Sequence, residues 1–312
     1  MLKLDEKKIR KGRPIGLPYQ GSKKKISKKI VEIIKQNFGT YKPVYDIFGG
    51  GGAITAECML NGLDVHYNDL DKTITDMFQK VISEDRDYLK TLIISREEFL
   101  KIRDKDNKTV DDNLKLLVNS FGNKRNSYLY SKEVSNLKYN LAVEIIKKHN
   151  TFDNYRKTET YQKAKHMFKD QAYQKTRLEA LERLQRIELF QELGEVDATN
   201  LDYKDFSEVK NAILYLDPPY ENTVLEGYQI EEFKSQEFYD WAYNMSKNNI
   251  VLISSYEISD ERFECVYEFK TARCTLSSGS YYGTKTEKLF MVKNNLNFFQ
   301  KSVDKIKTKQ YN

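Results

Sequence analysis

Several short apolar runs punctuate the chain, and each ends at a glycine, an acid or a hydroxyl residue. Pro43–Phe48 (PVYDIF) runs into Gly49–Gly52, and those glycines lead into AITAECML, a stretch of helical character. Leu63–Asn68 (LDVHYN) ends at Asp69, Ala212–Leu216 (AILYL) at Asp217-Pro218, and Asn249–Ser254 (NIVLIS) at Ser255-Tyr256. Glu287–Val292 (EKLFMV) reads as a late strand. Apolar runs of this length bounded by turn residues predict strands. The succession strand, glycine turn, helix, strand predicts a parallel α/β sheet of Rossmann-like form.

Between Asp71 and about Glu195 the pattern changes. Strand-like runs thin out, and LAVEIIKKH and TRLEALERLQRIELF carry apolar residues at three- and four-residue spacing. They predict amphipathic helices. The chain therefore divides into a sheet domain formed by residues 1–71 and 196–300, a mainly helical insertion over 72–195, and a basic tail over 301–312.

The 312 residues are 39% hydrophobic and 31% charged, with a mean hydropathy of −0.70. No run approaches the eighteen or so apolar residues of a membrane span. The opening MLKLDEKKIRKGRPIG lacks the apolar core of a secretory signal, so a cytoplasmic location is expected. Cys58, Cys265 and Cys274 are scattered, as are His66, His149 and His166. Neither a disulfide framework nor a metal centre is expected from them.

Charge distribution adds more than net charge does. Residues 119–186 hold fifteen Lys or Arg against seven Asp or Glu, so the rest of a chain of net charge +6 is slightly acidic. A surplus confined to one segment suits a polyanion-facing surface. Solvated helix faces would give the same composition.

Two motifs carry candidate chemistry. Glycines at the mouth of a strand-to-helix turn let backbone approach a ligand, and in open parallel sheets ligands bind beyond the carboxyl ends of strands. Asp46, Phe48, Gly50 and Gly52 lie in such a turn. Asp69, one strand later, has the spacing of an acid that accepts ribose hydroxyls. A tight turn with no ligand would also use glycines. The second motif is Asp217-Pro218-Pro219-Tyr220. Two prolines fix extended backbone and donate no hydrogen bond while their carbonyls still accept. An acid, donor-free carbonyls and an aromatic ring suit a planar amine-bearing base.

With these blocks in order over residues 15–295, the chain resembles the DNA adenine methylase (Dam-like) family of class I S-adenosyl-methionine-dependent methyltransferases. Pro18-Tyr19-Gln20-Gly21-Ser22-Lys23 is similar to the family's opening block, with Tyr19, Gln20 and Ser22 departing from its usual Trp-Ala-Gly-Gly-Lys form. DIFGGGG matches the cofactor loop, and Asp69 the ribose-binding acid. Asp202-Tyr203 is similar to the element that holds the cofactor adenine, DPPY is the catalytic block, and GTKTEKLFMV resembles the closing strand. The resemblance implies transfer of a methyl from S-adenosyl-methionine to the amino group of a flipped-out adenine at a specific site in duplex DNA. It further implies Asp217, Pro218, Pro219 and Tyr220 as catalytic residues. Tyr19, Lys23, Asp46, Phe48, Gly50, Gly52, Asp69, Asp202, Tyr203 and Asp217 would hold the cofactor. No metal is required, and a monomer suffices because one duplex strand is modified at a time.

The family keeps its target-recognition domain in the insertion. There, NSFGNKRNSYLY mixes the residue types that contact phosphates and base edges with aromatics able to wedge into a stack. Asn119, Phe121, Asn123, Lys124, Arg125, Asn126 and Tyr128 are the candidates for DNA contact. YQKAKHMFKDQAYQKTR, over 161–177, is a second basic candidate for phosphate. Methylation of an RNA adenine or a protein glutamine, or a non-catalytic DNA-binding regulator that keeps the fold, are the alternatives. Asp at the first position of DPPY favours DNA adenine over the first two. Intact motif acids and glycines count against the third.

Overall fold

A computed structural model of the chain describes residues 1–18, 21–123, 125–165, 176–221, 233–269 and 286–293. The elements in chain order are α1 (Ser27–Phe38), β1 (Val44–Asp46), α2 (Ala53–Leu60), β2 (Val65–Asn68) and α3 (Lys72–Ser83). Then come α4 (Arg86–Lys90), α5 (Arg96–Arg103), α6 (Val110–Asn119), α7 (Lys132–His149), α8 (Glu159–Ala164) and α9 (Glu179–Glu188). The chain closes with β3 (Asp197–Thr199), β4 (Ile213–Leu216), α10 (Ser235–Met245), β5 (Ile250–Ser255), β6 (Phe263–Glu268) and β7 (Lys288–Val292). Two compact units result. One comprises Met1–Pro14, Lys23–Thr75 and the residues from Val196 onward; the other comprises Ile15–Ser22 and Asp76–Glu195. Among the described residues no helix is long and apolar enough to cross a membrane.

The first unit is built on a seven-stranded sheet of order β3-β2-β1-β4-β5-β7-β6. Strands β1 to β5 are parallel, and β7 runs antiparallel to both β5 and β6. Every residue of β4 and β5 is buried, which is why both read as continuous apolar runs rather than alternating ones. The two faces take alternate residues. Ile213 and Tyr215 pack with Ile30, Ile33 and Ile34 of α1 and Ile54 of α2. Leu214 and Leu216 pack with Phe238, Ala242 and Met245 of α10. In α1 the three isoleucines share one helical stripe, and the helix stops at Gly39 (φ 84°), whose N–H closes on the Lys35 carbonyl.

Two strands escaped the sequence pattern. β3 has only three residues, none of them buried, and β6 is buried only at Phe263 and Val266. Neither gives the unbroken apolar run that marked the other strands.

The described residues of the second unit are helical apart from turns and an antiparallel bridge between Ser120 and Tyr128. Its helix starts are well capped: Asp85, Ser95 and Thr109 each accept a backbone N–H, and Thr109 and Asp112 form a reciprocal capping box. Phe78, Phe99, Leu114, Ile145, Leu184 and Phe190 are fully buried.

Candidate active site

The sheet order reverses between β1 and β4, because β2 and β3 extend to one side and β5 to the other. Parallel strands of this kind leave a crevice at the carboxyl ends of the reversal point. Asp46 of β1 pairs with Tyr215 of β4, and the Ile47 N–H reaches the Tyr215 carbonyl at 3.3 Å. The Gly49–Gly52 loop and Asp217 therefore leave adjacent strands, about 4.8 Å apart, at the same edge.

Sterics and backbone hydrogen bonds shape the glycine loop. Gly50 (φ 48°) and Gly52 (φ 69°) occupy left-handed backbone that L side chains rarely adopt. Gly49 has a different reason: a Cβ there would lie 2.4 Å from the Tyr67 ring. The Gly49 N–H donates to the Asn68 carbonyl at 2.8 Å. The Tyr67 hydroxyl donates to the Gly50 carbonyl at 2.8 Å. The Gly50 N–H donates to Asp69 Oδ2, also at 2.8 Å, while Asp69 Oδ1 takes the Asp71 N–H at 2.9 Å. Loop and acid are thus positioned by each other. Asp46, 1% exposed, anchors the start of α2 by accepting the N–H and hydroxyl of Thr55.

Across the crevice, Lys23 Nζ lies 2.7 Å from Asp217 Oδ1 and 3.9 Å from Glu287 Oε1. It also sits over the Tyr220 ring, 4.9 Å from the centroid. The Tyr220 hydroxyl lies 3.2 Å from Asp217 Oδ1 and makes a closer hydrogen bond to Glu287 Oε1. Tyr256 meets the edge of Tyr220, ring centroids 4.7 Å apart.

Burial pushes the carboxyls upward. Asp46 rises to about 7, held back by its bonds from Thr55 and raised further by Asp217 and Asp69. Asp69 rises to about 6, opposed by the N–H groups of Asp71 and Gly50. Asp217 also rises to about 6, with Lys23 pulling it down and Glu287 pushing it up. Three acids sharing one field favour a positively charged ligand.

Other candidate residues fall in varied places. Phe48 and Tyr203 face each other with centroids 6.0 Å apart, and Tyr203 meets Trp241 edge-on at 5.0 Å. Asp202 caps the 3₁₀ turn Tyr203–Phe206 through the Lys204 N–H. Tyr19 and Lys124 lie outside the described residues, as do the side chain of Asn123, Cys274, residues 166–175 and the tail.

In the second unit, Phe121 N–H bonds to Ser127 and Leu129 N–H to Asn119. Phe121, where the chain leaves the Ser120–Tyr128 bridge, is 69% exposed. Asn126 is exposed, and Arg125 is half-buried with one guanidinium nitrogen on Asn113. Two candidates are buried. Asn119 is 1% exposed; its amide donates to the Leu92 and Lys115 carbonyls and accepts from Ile94 N–H. Tyr128 is 7% exposed and donates to the Ile94 carbonyl. Both side chains face the interior.

The basic surplus is also partly spent internally. Lys138 and Arg183 turn inward onto carbonyls. Arg156, Arg177, Lys148 and Lys163 pair with glutamates. Lys132, Lys147, Lys157, Lys165 and Arg186 are exposed, with no ion pair among the described residues.

Sequence reasoning missed Glu287 and Asn68. Glu287 is 5% exposed and also accepts the Ser254 hydroxyl at 2.9 Å. It immediately precedes β7, whose antiparallel direction brings that end to the edge where Asp217 lies. The sequence offered one signal, an acid immediately before an apolar strand. Asn68 ties Ile47, Thr199 and Leu201 together and so fixes the approach to Asp202.

A mostly parallel seven-stranded sheet with a glycine loop, a following acid and an acid-Pro-Pro-Tyr edge at its reversal point is the architecture of a Rossmann-like methyltransferase. A family model described as D12 class N6 adenine-specific DNA methyltransferase matches residues 19–275, and the chain belongs to that family. It is an enzyme that methylates adenine in DNA. No curated protein matches the chain.

Proposed function

We propose that the protein transfers a methyl from S-adenosyl-methionine to the exocyclic amino group of a flipped-out adenine within a specific sequence of duplex DNA. On this reading it acts in the cytoplasm, as a monomer, without a metal. The observation that carries the reading is the meeting of Asp217 and the glycine loop at the sheet's reversal point.

The donor set fits a cationic nucleoside. Asp46, Asp69 and Asp217 are raised by burial and by one another, and positive charge entering among them relieves that repulsion. When bound, S-adenosyl-methionine supplies an electrophilic methyl on a sulfonium. Gly50 and Gly52 let backbone approach it, and Asp69 accepts the ribose hydroxyls. Both Asp69 oxygens already take an N–H, and each retains a lone pair for this. Phe48, Asp202 and Tyr203 would flank the cofactor adenine, with Lys23 and Asp46 completing the pocket.

The target's amino nitrogen is a weak nucleophile because its lone pair is delocalised into the ring. Asp217 and the Pro218 carbonyl accept its hydrogens and favour a tetrahedral nitrogen, while Pro219 keeps the segment extended and Tyr220 stacks on the base. Positioning of this kind is worth ~7–11 kcal/mol, and acceptors aimed at developing positive charge add to it. Extruding the base costs a few kcal/mol; stacking on Tyr220 returns ~1–3 kcal/mol.

The helical segment 72–195 is proposed as the target-recognition insertion. Its DNA contacts narrow to Phe121, Asn123, Lys124, Arg125 and Asn126, with exposed Phe121 as the wedge that fills the vacated stack. Methylation-sensitive sequencing of DNA from cells expressing the protein tests the whole reading. N6-methyladenine confined to one short motif is expected; unmodified adenine throughout counts against it.

A further inference from the structure

We infer that Glu287 is a positioning residue of the methyl-transfer site, holding the Tyr220 hydroxyl so that Asp217 stays available to the target amine. The inference rests on the functional reading above and assigns a role to a residue outside its motifs.

The argument begins with one proton. The Tyr220 phenol has a single hydrogen and two carboxylate neighbours, Asp217 at 3.2 Å and Glu287 closer. It donates to the nearer one. Glu287 is itself fixed by the buried Ser254 hydroxyl at 2.9 Å and is 5% exposed, so it cannot turn to water instead. Its placement follows from topology: Ser255 of β5 pairs antiparallel with Lys288, so the residue just before β7 reaches the edge where β4 delivers Asp217.

Without this acceptor the phenol turns to Asp217 Oδ1, 3.2 Å away, which already takes Lys23. Tyr220 would then compete for the oxygen atoms meant for the substrate amine. Its ring, meant to support the base, would rotate with the hydroxyl. Glu287 also shares the Lys23 ammonium, 3.9 Å away, so the lysine does not neutralise Asp217 alone. Asp217 is faced by Lys23 from the turn before α1, Tyr215 of β4, Tyr220, Glu287, and more distantly Asp46 and Asp69. Among these, Glu287 pushes its pKa up and Lys23 pulls it down.

The test compares wild type, Tyr220→Phe, Glu287→Ala, Glu287→Gln and the Tyr220→Phe/Glu287→Ala double variant in single-turnover methylation of duplex DNA, with melting temperatures alongside. Glu287→Ala is expected to slow transfer about tenfold or more while the donor KM stays within about twofold. In the Tyr220→Phe background the same change should add little, because the hydroxyl it serves is gone. Glu287→Gln keeps the acceptor and should recover most of the rate at neutral pH. It loses the charge that raises Asp217, so the acid limb of kcat/KM should move to lower pH. Multiplicative losses in the double variant, or an unmoved acid limb in Glu287→Gln, would overturn the assignment. If Glu287→Ala fails to fold, the Glu287→Gln profile decides alone. An inactive wild-type protein would overturn both this inference and the functional reading; an active one separates them.

Discussion

Lys23 Nζ lies 2.7 Å from Asp217 Oδ1, joining the segment before α1 to the edge of β4 in one ion pair. The pair sits where neither partner is well hydrated, with side chains 10% and 16% exposed. A buried pair of this kind contributes less to stability than to fixing which group is charged.

Removing the lysine exposes that role. Asp217 stands at about 6 with Lys23 opposing the upward push of burial and Glu287. On the proposed mechanism catalysis needs the carboxylate, so activity is expected to fall as pH drops through that range. In Lys23→Ala the opposing charge is gone and the Asp217 pKa climbs further. The acid limb of kcat/KM should therefore move to higher pH, with activity at pH 7 reduced and partly regained in alkali. An acid limb that stays in place would show that Lys23 does not set the charge of Asp217.

Gly49→Ala tests the glycine loop at the position where backbone conformation is ordinary. Its Cβ would lie 2.4 Å from the Tyr67 ring, and that ring is held by its hydroxyl on the Gly50 carbonyl. Relief requires the loop to shift, at a cost of ~1–3 kcal/mol. A lowered melting temperature and weakened S-adenosyl-methionine binding by calorimetry are expected together. Unchanged donor affinity would separate this loop from the cofactor.

Asn119 gives the opposite profile to a DNA contact. Its amide serves three backbone groups of the second unit, and each left unpaired costs ~1–3 kcal/mol. Asn119→Ala should lower the urea midpoint substantially. Any folded protein should bind DNA with an unchanged salt slope.

Alanine at Lys124 and Arg125 should do the reverse, leaving the urea midpoint nearly unchanged. Each phosphate that is no longer neutralised reduces the slope of log affinity against log salt by about 0.9. Filter binding over a salt series measures it; an unaltered slope would remove this stretch from the interface.

The sheet was legible where burial made apolar runs. Val44–Asp46, Ile213–Leu216 and Ile250–Ser255 lie on the runs that predicted them, whereas unburied β3 and sparsely buried β6 left no comparable trace. The DPPY edge and glycine loop were legible because only special residues tolerate those backbones, as the left-handed Gly50 and Gly52 show. Glu287 was hidden because its importance depends on strand direction, which no local pattern records. The burial of Asn119 and Tyr128 was hidden for a related reason. Polar and aromatic types that suit a DNA surface also suit a satisfied interior, and only the hydrogen-bond partners distinguish them.

The central claim is that Asp217 accepts hydrogens from the adenine amine, and single-turnover transfer from labelled S-adenosyl-methionine to duplex DNA tests it most directly. Asp217→Ala should fold, bind DNA, and transfer the methyl at about a thousandth of the wild-type rate or less. Transfer at the wild-type rate by that variant would contradict the account.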